Sequence, residues 1–176
     1  MSDESSKGSV ESSNVSVETS NGSAQMAGST PLHADFDKTI PSEVLPAIEQ
    51  ELLNRFAAAS GDPNPIHLDP DVARQAGLPG VIAHGMLVAG FASRRAVNFM
   101  AERFADRVSP EFTASPNAPR LTRFQSRFKG MVLLGDVLTV GGSVRSRTEQ
   151  AWVLDIQVRN SSGVAVVIAT AEFAIG

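Results

Sequence analysis

The chain has 176 residues, a formal net charge of -4 and no cysteine, and 42% of its residues are apolar. The mild acidity leaves no basic footprint for nucleic acid, and the missing thiols exclude disulfides and a cysteine nucleophile. No apolar run is long enough to cross a bilayer, so a soluble, cytoplasmic protein is the default expectation.

The N-terminal segment stands apart. From Met1 to Thr30, serine recurs among Asn, Gly, Glu and Thr with almost no large apolar side chains. Such a stretch buries too little surface to offset its ordering entropy, so residues 1–31 are expected to form a disordered tail. It lacks the apolar segment of a secretory signal and the arginine-rich, acid-poor character of a mitochondrial presequence. Residues 32–176 are expected to form a single domain of ordinary size.

A weak strand is expected around Phe36 to Ile40. A helix should follow, with Ser42 as its N-cap and Pro46 in its first turn. Val44, Leu45, Ile48, Leu52, Leu53 and Phe56 recur at helical spacing, and Gly61 supplies the stop. Asp71 to Gln75 reads as a short helical turn ended by Gly77. A second long helix runs from Gly85 to Arg103. Met86 to Ser93, with Ala96 and Val97, leave almost no polar stripe over its first half, which predicts burial. Ala89, Gly90, Ala92 and Ser93 are small enough for a sheet to approach the axis, while Arg94, Arg95 and Asn98 mark the end that emerges. A loop rich in Ser and Pro follows, from Ser109 to Pro119.

The period then changes to two. Leu121 to Lys129 alternates, with Phe124 and Phe128 on one face and Arg123, Arg127 and Lys129 on the other. Val137 to Arg147, the run carrying Trp152, Leu154, Ile156 and Val158, and Val164 to Ile175 complete four strands. Helices first and an antiparallel meander last predict an α+β fold, a sheet wrapped around one buried helix.

The chemistry concentrates between the helices. Asp62-Pro63-Asn64-Pro65-Ile66-His67 sets a carboxylate and an imidazole five residues apart on a loop stiffened by two prolines. Ala83-His84-Gly85-Met86-Leu87 then opens the apolar helix. Acid/base groups beside a helix N-terminus are the parts needed to polarise a carbonyl and move a proton. The competing reading makes the loop a simple cap for the next helix, through Asp69 or Asp71, with His67 on the surface. A calcium loop is excluded because the sixth and twelfth positions of a loop starting at Asp62 hold His67 and Ala73. Zinc would depend on His33, His67 and His84, and no metal site is expected. No Gly-x-Ser-x-Gly elbow, dinucleotide fingerprint or phosphate loop occurs.

The stretch Phe56 to His67, with Ala73 beyond it, resembles the signature of the MaoC-like (R)-specific enoyl-CoA hydratases and (3R)-hydroxyacyl-thioester dehydratases. The block Ile82 to Leu87 resembles theirs too, as does its distance from His67. The resemblance covers about Ser42 to Ile175, sharply in the two motifs and only topologically in the strands. It implies a hot-dog fold with Asp62 and His67 as the catalytic pair and the Gly85 N–H as donor to the thioester oxygen. It also implies Asn64 orienting the loop and Ser93, two turns after Gly85, supporting the site, with His84 and Met86 flanking it. His84 by its position reads more simply as a helix-entry residue with a satisfied hydrogen bond. The implied reaction is reversible syn hydration of trans-2-enoyl thioesters in fatty-acid metabolism. It needs no cofactor beyond the substrate's own carrier, coenzyme A or acyl-carrier protein. A homodimer is expected because an unpaired edge strand is a liability, and a heterodimer is compatible with the family. Two alternatives remain open: a non-catalytic acyl-thioester-binding subunit of a dehydratase heterodimer, and a hot-dog thioesterase.

Overall fold

A computed structural model describes residues 38–105 and 118–176. The expected tail and most of the expected Ser- and Pro-rich loop lie outside the described residues. Five strands form one antiparallel sheet: β1 (Thr39–Val44), β2 (Arg120–Phe128), β3 (Thr139–Arg147), β4 (Ala151–Arg159) and β5 (Ala165–Ala174), in the order β1-β3-β4-β5-β2. Among the described residues three α-helices precede β2: α1 (Gln50–Ser60), α2 (Pro70–Gln75) and α3 (Gly85–Arg103). The expected α+β arrangement holds, with α3 packed against β2, β3, β4 and β5.

The first element differs from expectation. Ser42 and Val44 belong to strand β1 rather than to a helix, and α1 begins at Gln50 with Glu49 as its N-cap. Pro46 therefore lies between the two elements. Pro41 and Ser42 sit at a register shift between Ile40 and Glu43 in the β1–β3 pairing. An edge strand tolerates the missing proline N–H at such a place. Helical spacing of apolar residues across Val44 and Leu45 is therefore the signature of a strand end and the segment after it, not of a helix.

The strand alternation is as expected where the sheet meets α3. Trp152, Leu154, Ile156 and Val158 of β4 are buried, and so are Val167, Ala169, Ala171 and Phe173 of β5. The register aligns these residues in rows across the sheet, one of which runs Val140–Val158–Val167–Phe128. Against the small β5 residues Ala169 and Ala171, α3 presents Ala89, Ala92 and Ala96, each at most 2% exposed. Small side chains on both surfaces let the helix axis approach the sheet, and the close packing leaves no room for longer ones.

Helix α3 is not buried all round. Met86, Gly90 and Val97 face solvent, while Arg95, expected at the emerging end, is only 6% exposed. Its Nε donates to the Pro41 carbonyl at 3.0 Å, and Glu102 lies 3.8 Å from its guanidinium. The irregular step in β1 leaves that carbonyl available, so the buried donor is satisfied without interrupting the sheet.

Candidate active site

Local backbone chemistry builds the loop. Gly61 closes α1 in the left-handed region (φ 71°), its N–H returning to the Ala57 carbonyl at 3.0 Å, and so turns the chain directly into Asp62. A side chain there would be strained, which is why glycine ends this helix. Asp62 Oδ1 accepts from the Asn64 N–H and Asn64 Oδ1 from the Ile66 N–H, two successive turns that organise the loop. Pro65 to His67 form a single 3-10 turn. Asp69 caps α2, accepting from the N–H groups of Asp71 and Val72. The capping reading of this loop is thus correct for Asp69, yet His67 is not on the surface: it is 8% exposed.

The segment Val81 to His84 ties the loop to the sheet. Ile82 N–H donates to the Ile66 carbonyl, Ala83 N–H to the Val132 carbonyl, and Leu134 N–H to the Val81 carbonyl. Ile82 also forms an isolated bridge with Leu133. His67 Nδ1 lies 2.8 Å from the Ile82 carbonyl. A carbonyl only accepts, so Nδ1 carries the proton and Nε2 of the neutral ring holds the lone pair. The fold thereby sets the tautomer of His67.

A carboxylate oxygen of Asp62 and one ring nitrogen each of His67 and His84 all lie within 4.8 Å of one another. His84 is more deeply engaged than a helix-entry residue needs to be. It is 1% exposed, and its Nε2 lies 3.1 Å from the Asp62 carbonyl, which makes that nitrogen the donor. Its ring stacks on His67, centroids 3.9 Å apart, and meets Phe56 at 4.9 Å. Its Nδ1 is buried with no hydrogen-bond partner among the described residues. His84 is the N-cap of α3 by position, but its side chain makes no capping bond.

These three side chains offer a metal ion one oxygen and two nitrogens. Zinc would need both nitrogens about 2.0–2.1 Å from one point. Rings stacked at an interplanar angle of 29° instead send their in-plane lone pairs along separate planes. The arrangement fits a hydrogen-bonded acid/base group better than a metal centre.

His67 and Gly85 together line a cavity of about 170 Å³ whose other walls are apolar, including Val88, Phe128, Met131 and Val132. Gly85 is the first residue of α3, so its N–H has no carbonyl four residues back within the helix and points at the pole where the helix dipole is positive. Phe128 closes over it: a Cβ added to Gly85 would meet Phe128 Cε1 at 3.2 Å. Asp62 is exposed, and its carboxylate stands within 4.8 Å of a His67 ring nitrogen. Met86 is 68% exposed and Ser93 half-buried, and neither lines the cavity. Arg123 points toward Glu172, 3.7 Å away, on the strand surface. Trp152 is buried with Phe104 edge-on at 5.6 Å. Sequence reasoning missed Phe128 and the Ile82 carbonyl. Nothing in the chain's local pattern signals either, because strand pairing and the isolated bridge bring them to the site.

Comparisons with known proteins bear on the family and the fold. The family model described as "MaoC like domain" matches residues 31–164. The chain is 33% identical over 153 residues, 85% of its length, to the fatty acid synthase β subunit aflB of Emericella nidulans, of which the match covers 6%. It is 49% identical over 49 residues, 28% of its length, to 3-hydroxyacyl-thioester dehydratase X of Mycobacterium tuberculosis, of which the match covers 17%. The chain thus spans only a small part of these curated relatives. The unliganded (R)-hydratase PhaJ1 of Pseudomonas aeruginosa superposes with a TM-score of 0.59 at 28% identity, covering 81% of this chain and 82% of that one. The matched domain, the sheet-around-helix architecture and the shared fold of these neighbours place the chain in the MaoC-like dehydratase family, with a hot-dog fold.

Proposed function

We propose that this protein catalyses the reversible syn addition of water to trans-2-enoyl thioesters, giving (3R)-3-hydroxyacyl thioesters. The observation that carries the reading is the convergence of three groups: His67 and the Gly85 N–H line one apolar cavity, and the Asp62 carboxylate stands within 4.8 Å of the His67 ring. A single water bridges such a gap with two hydrogen bonds of ordinary length.

In the hydration direction His67 Nε2 takes a proton from that water as its oxygen bonds to the β-carbon of the enoyl group. The π electrons move onto the thioester oxygen, where the Gly85 N–H meets the developing negative charge. The proton passes from the imidazolium to Asp62, which delivers it to the α-carbon. Water has then been added across the double bond, and both groups recover their starting protonation. No metal or redox group enters the scheme, and the thioester carrier is coenzyme A or an acyl-carrier protein.

A second copy of the chain is the proposed partner. Among the described residues β2 and β1 pair on one side only, and β2 exposes Leu121 and Phe128. Backbone pairing along such an edge would satisfy its free N–H and C=O groups.

Incubation with crotonyl-CoA tests the function. Loss of enoyl absorbance with formation of the (3R)-hydroxy product supports hydration. Release of free thiol would instead indicate a thioesterase, and binding without either change a non-catalytic subunit.

A further inference from the structure

His67 is gripped at two points. Its ring is held through Nδ1 on the Ile82 carbonyl, and its main chain is held by a side chain that the proposed chemistry does not use. Gln50, half-buried and the first residue of α1, sends its Nε2 to the His67 carbonyl at 3.3 Å and to Asn54 Oδ1 at 3.1 Å. A backbone carbonyl only accepts, so the NH2 end of the amide must face His67.

That carbonyl needs a donor from outside its own turn. The amides of Leu68 and Asp69 both return to the Pro65 carbonyl, Pro70 has no N–H, and the Asp71 N–H goes to Asp69 Oδ1. These neighbours leave the oxygen at the end of the 3-10 turn without a local donor. Gln50 reaches it from 17 residues away in the chain.

The link has a geometric consequence. Helix α1 ends at Gly61, which turns the chain into Asp62, and begins at Gln50, which holds His67. Both members of the acid/base pair are therefore referenced to one rigid element, one at each end. The 11 residues of α1 span about 16 Å, and the loop after them runs back toward the start of the helix. Pro63 and Pro65 stiffen that loop, but stiffness alone does not fix where its far end lies. We propose, on the hydratase reading above, that Gln50 is a positioning residue. It sets the distance between the His67 ring and the Asp62 carboxylate, and so the place of the water they share, without touching substrate.

Substitution at this residue separates positioning from helix stability. At the first position of a helix a carboxylate is favourable and an ammonium unfavourable. A role confined to α1 therefore ranks Gln50→Glu above Gln50→Lys. Positioning of His67 ranks them the other way, because a lysine can donate to the His67 carbonyl and an ionised glutamate cannot.

Steady-state kinetics on crotonyl-CoA at neutral pH, with thermal melts of the full chain and both variants, test the proposal. Gln50→Glu should lower kcat by about tenfold to a hundredfold, the usual effect of misplacing a reacting group. Its KM should stay within about twofold of native, since no group that binds substrate is altered, and its melting temperature should not fall. Gln50→Lys should exceed Gln50→Glu in kcat despite a lower melting temperature. Native kcat in Gln50→Glu, or a kcat order that follows the melting temperatures, overturns the proposal. If the native chain hydrates no enoyl-CoA, the hydratase reading fails by itself, and the tether is read from NMR of the His67 ring nitrogens. A single Nδ1–H signal that broadens or averages in Gln50→Glu supports it, and an unchanged ring signal overturns it.

Discussion

His84 lies face to face with His67, ring centroids 3.9 Å apart, while its own Nε2 holds the backbone carbonyl of Asp62 at 3.1 Å. One buried ring thus touches both members of the proposed acid/base pair, one through its face and the other through its edge. The two contacts are chemically separable. Phenylalanine in place of His84 keeps a ring against His67 and Phe56 but leaves the Asp62 carbonyl without a donor. Glutamine keeps a donor within reach of that carbonyl and loses the stacking. The Asp62 loop should shift most in His84→Phe, lowering kcat on crotonyl-CoA by about tenfold to a hundredfold, because small displacements of reacting groups are costly. His84→Gln should retain more activity than His84→Phe. Steady-state kinetics on both variants, with thermal melts as a folding control, check the order.

Asp62→Asn and His67→Gln each leave loop volume almost unchanged while removing a proton-transfer group. Asp62 is exposed and its Oδ1 accepts only a long, 3.4 Å bond from the Asn64 N–H, so the amide replacement should fold normally. Each variant should lose about 10²–10⁴ in kcat. The pair should not lose the product of the two, because groups acting on one shared water form a unit. A single-turnover assay on the two single variants and the double variant measures this directly.

Gly85 permits an unusually clean deletion. His84 has φ −56° and ψ 128°, a conformation compatible with a following proline, and Gly85 is the first residue of α3. Gly85→Pro should therefore keep the helix while removing the N–H. Gly85→Ala is its control, since both add a Cβ near Phe128 Cε1. The proline variant should fall below the alanine variant by about 10²–10³ in kcat, the usual consequence of losing one oxyanion donor. Equal kcat in the two variants would mean that this amide does not meet the thioester oxygen.

The helix–sheet approach makes a prediction about stability. Ala92 is 0% exposed on the face of α3 that meets the sheet. Ala92→Leu adds volume where both surfaces are already small, and overpacking of this kind costs about 1–3 kcal/mol. Urea denaturation should show a lower midpoint with an unchanged slope. A midpoint equal to the native value would mean that the helix and the sheet are separated by free space.

Much of this protein was legible before any coordinates. The span of α3, Gly85 to Arg103, follows from its apolar run, and the inward face of β4 from the alternation of Trp152, Leu154, Ile156 and Val158. Gly61 and Asp69 act as their residue types dictate, one as a left-handed stop and the other as a cap. Each of these depends on neighbours within a few positions. The first helix starts later than its pattern predicts because Val44 and Leu45 imitate helical spacing, whereas β1 exists through pairing with β3, about a hundred residues away. Arg95 departs from its pattern for the same reason: a charged residue is expected outside unless a distant carbonyl, here that of Pro41, is there to receive it.

The sequence by itself determined the chemical inventory and its rigidity: a carboxylate and an imidazole on one proline-stiffened loop, and a glycine at the head of an apolar helix. Local stereochemistry is enough for that, since prolines, a left-handed glycine and side-chain caps act over a few residues. Only the tertiary structure decided which nitrogen of His67 is free, that His84 stacks on it, and that the Phe128 ring lies against Gly85. Those depend on the Ile82 carbonyl, a ring stack and the β2–β5 register, and contacts between distant parts of a chain have no signature in its local pattern.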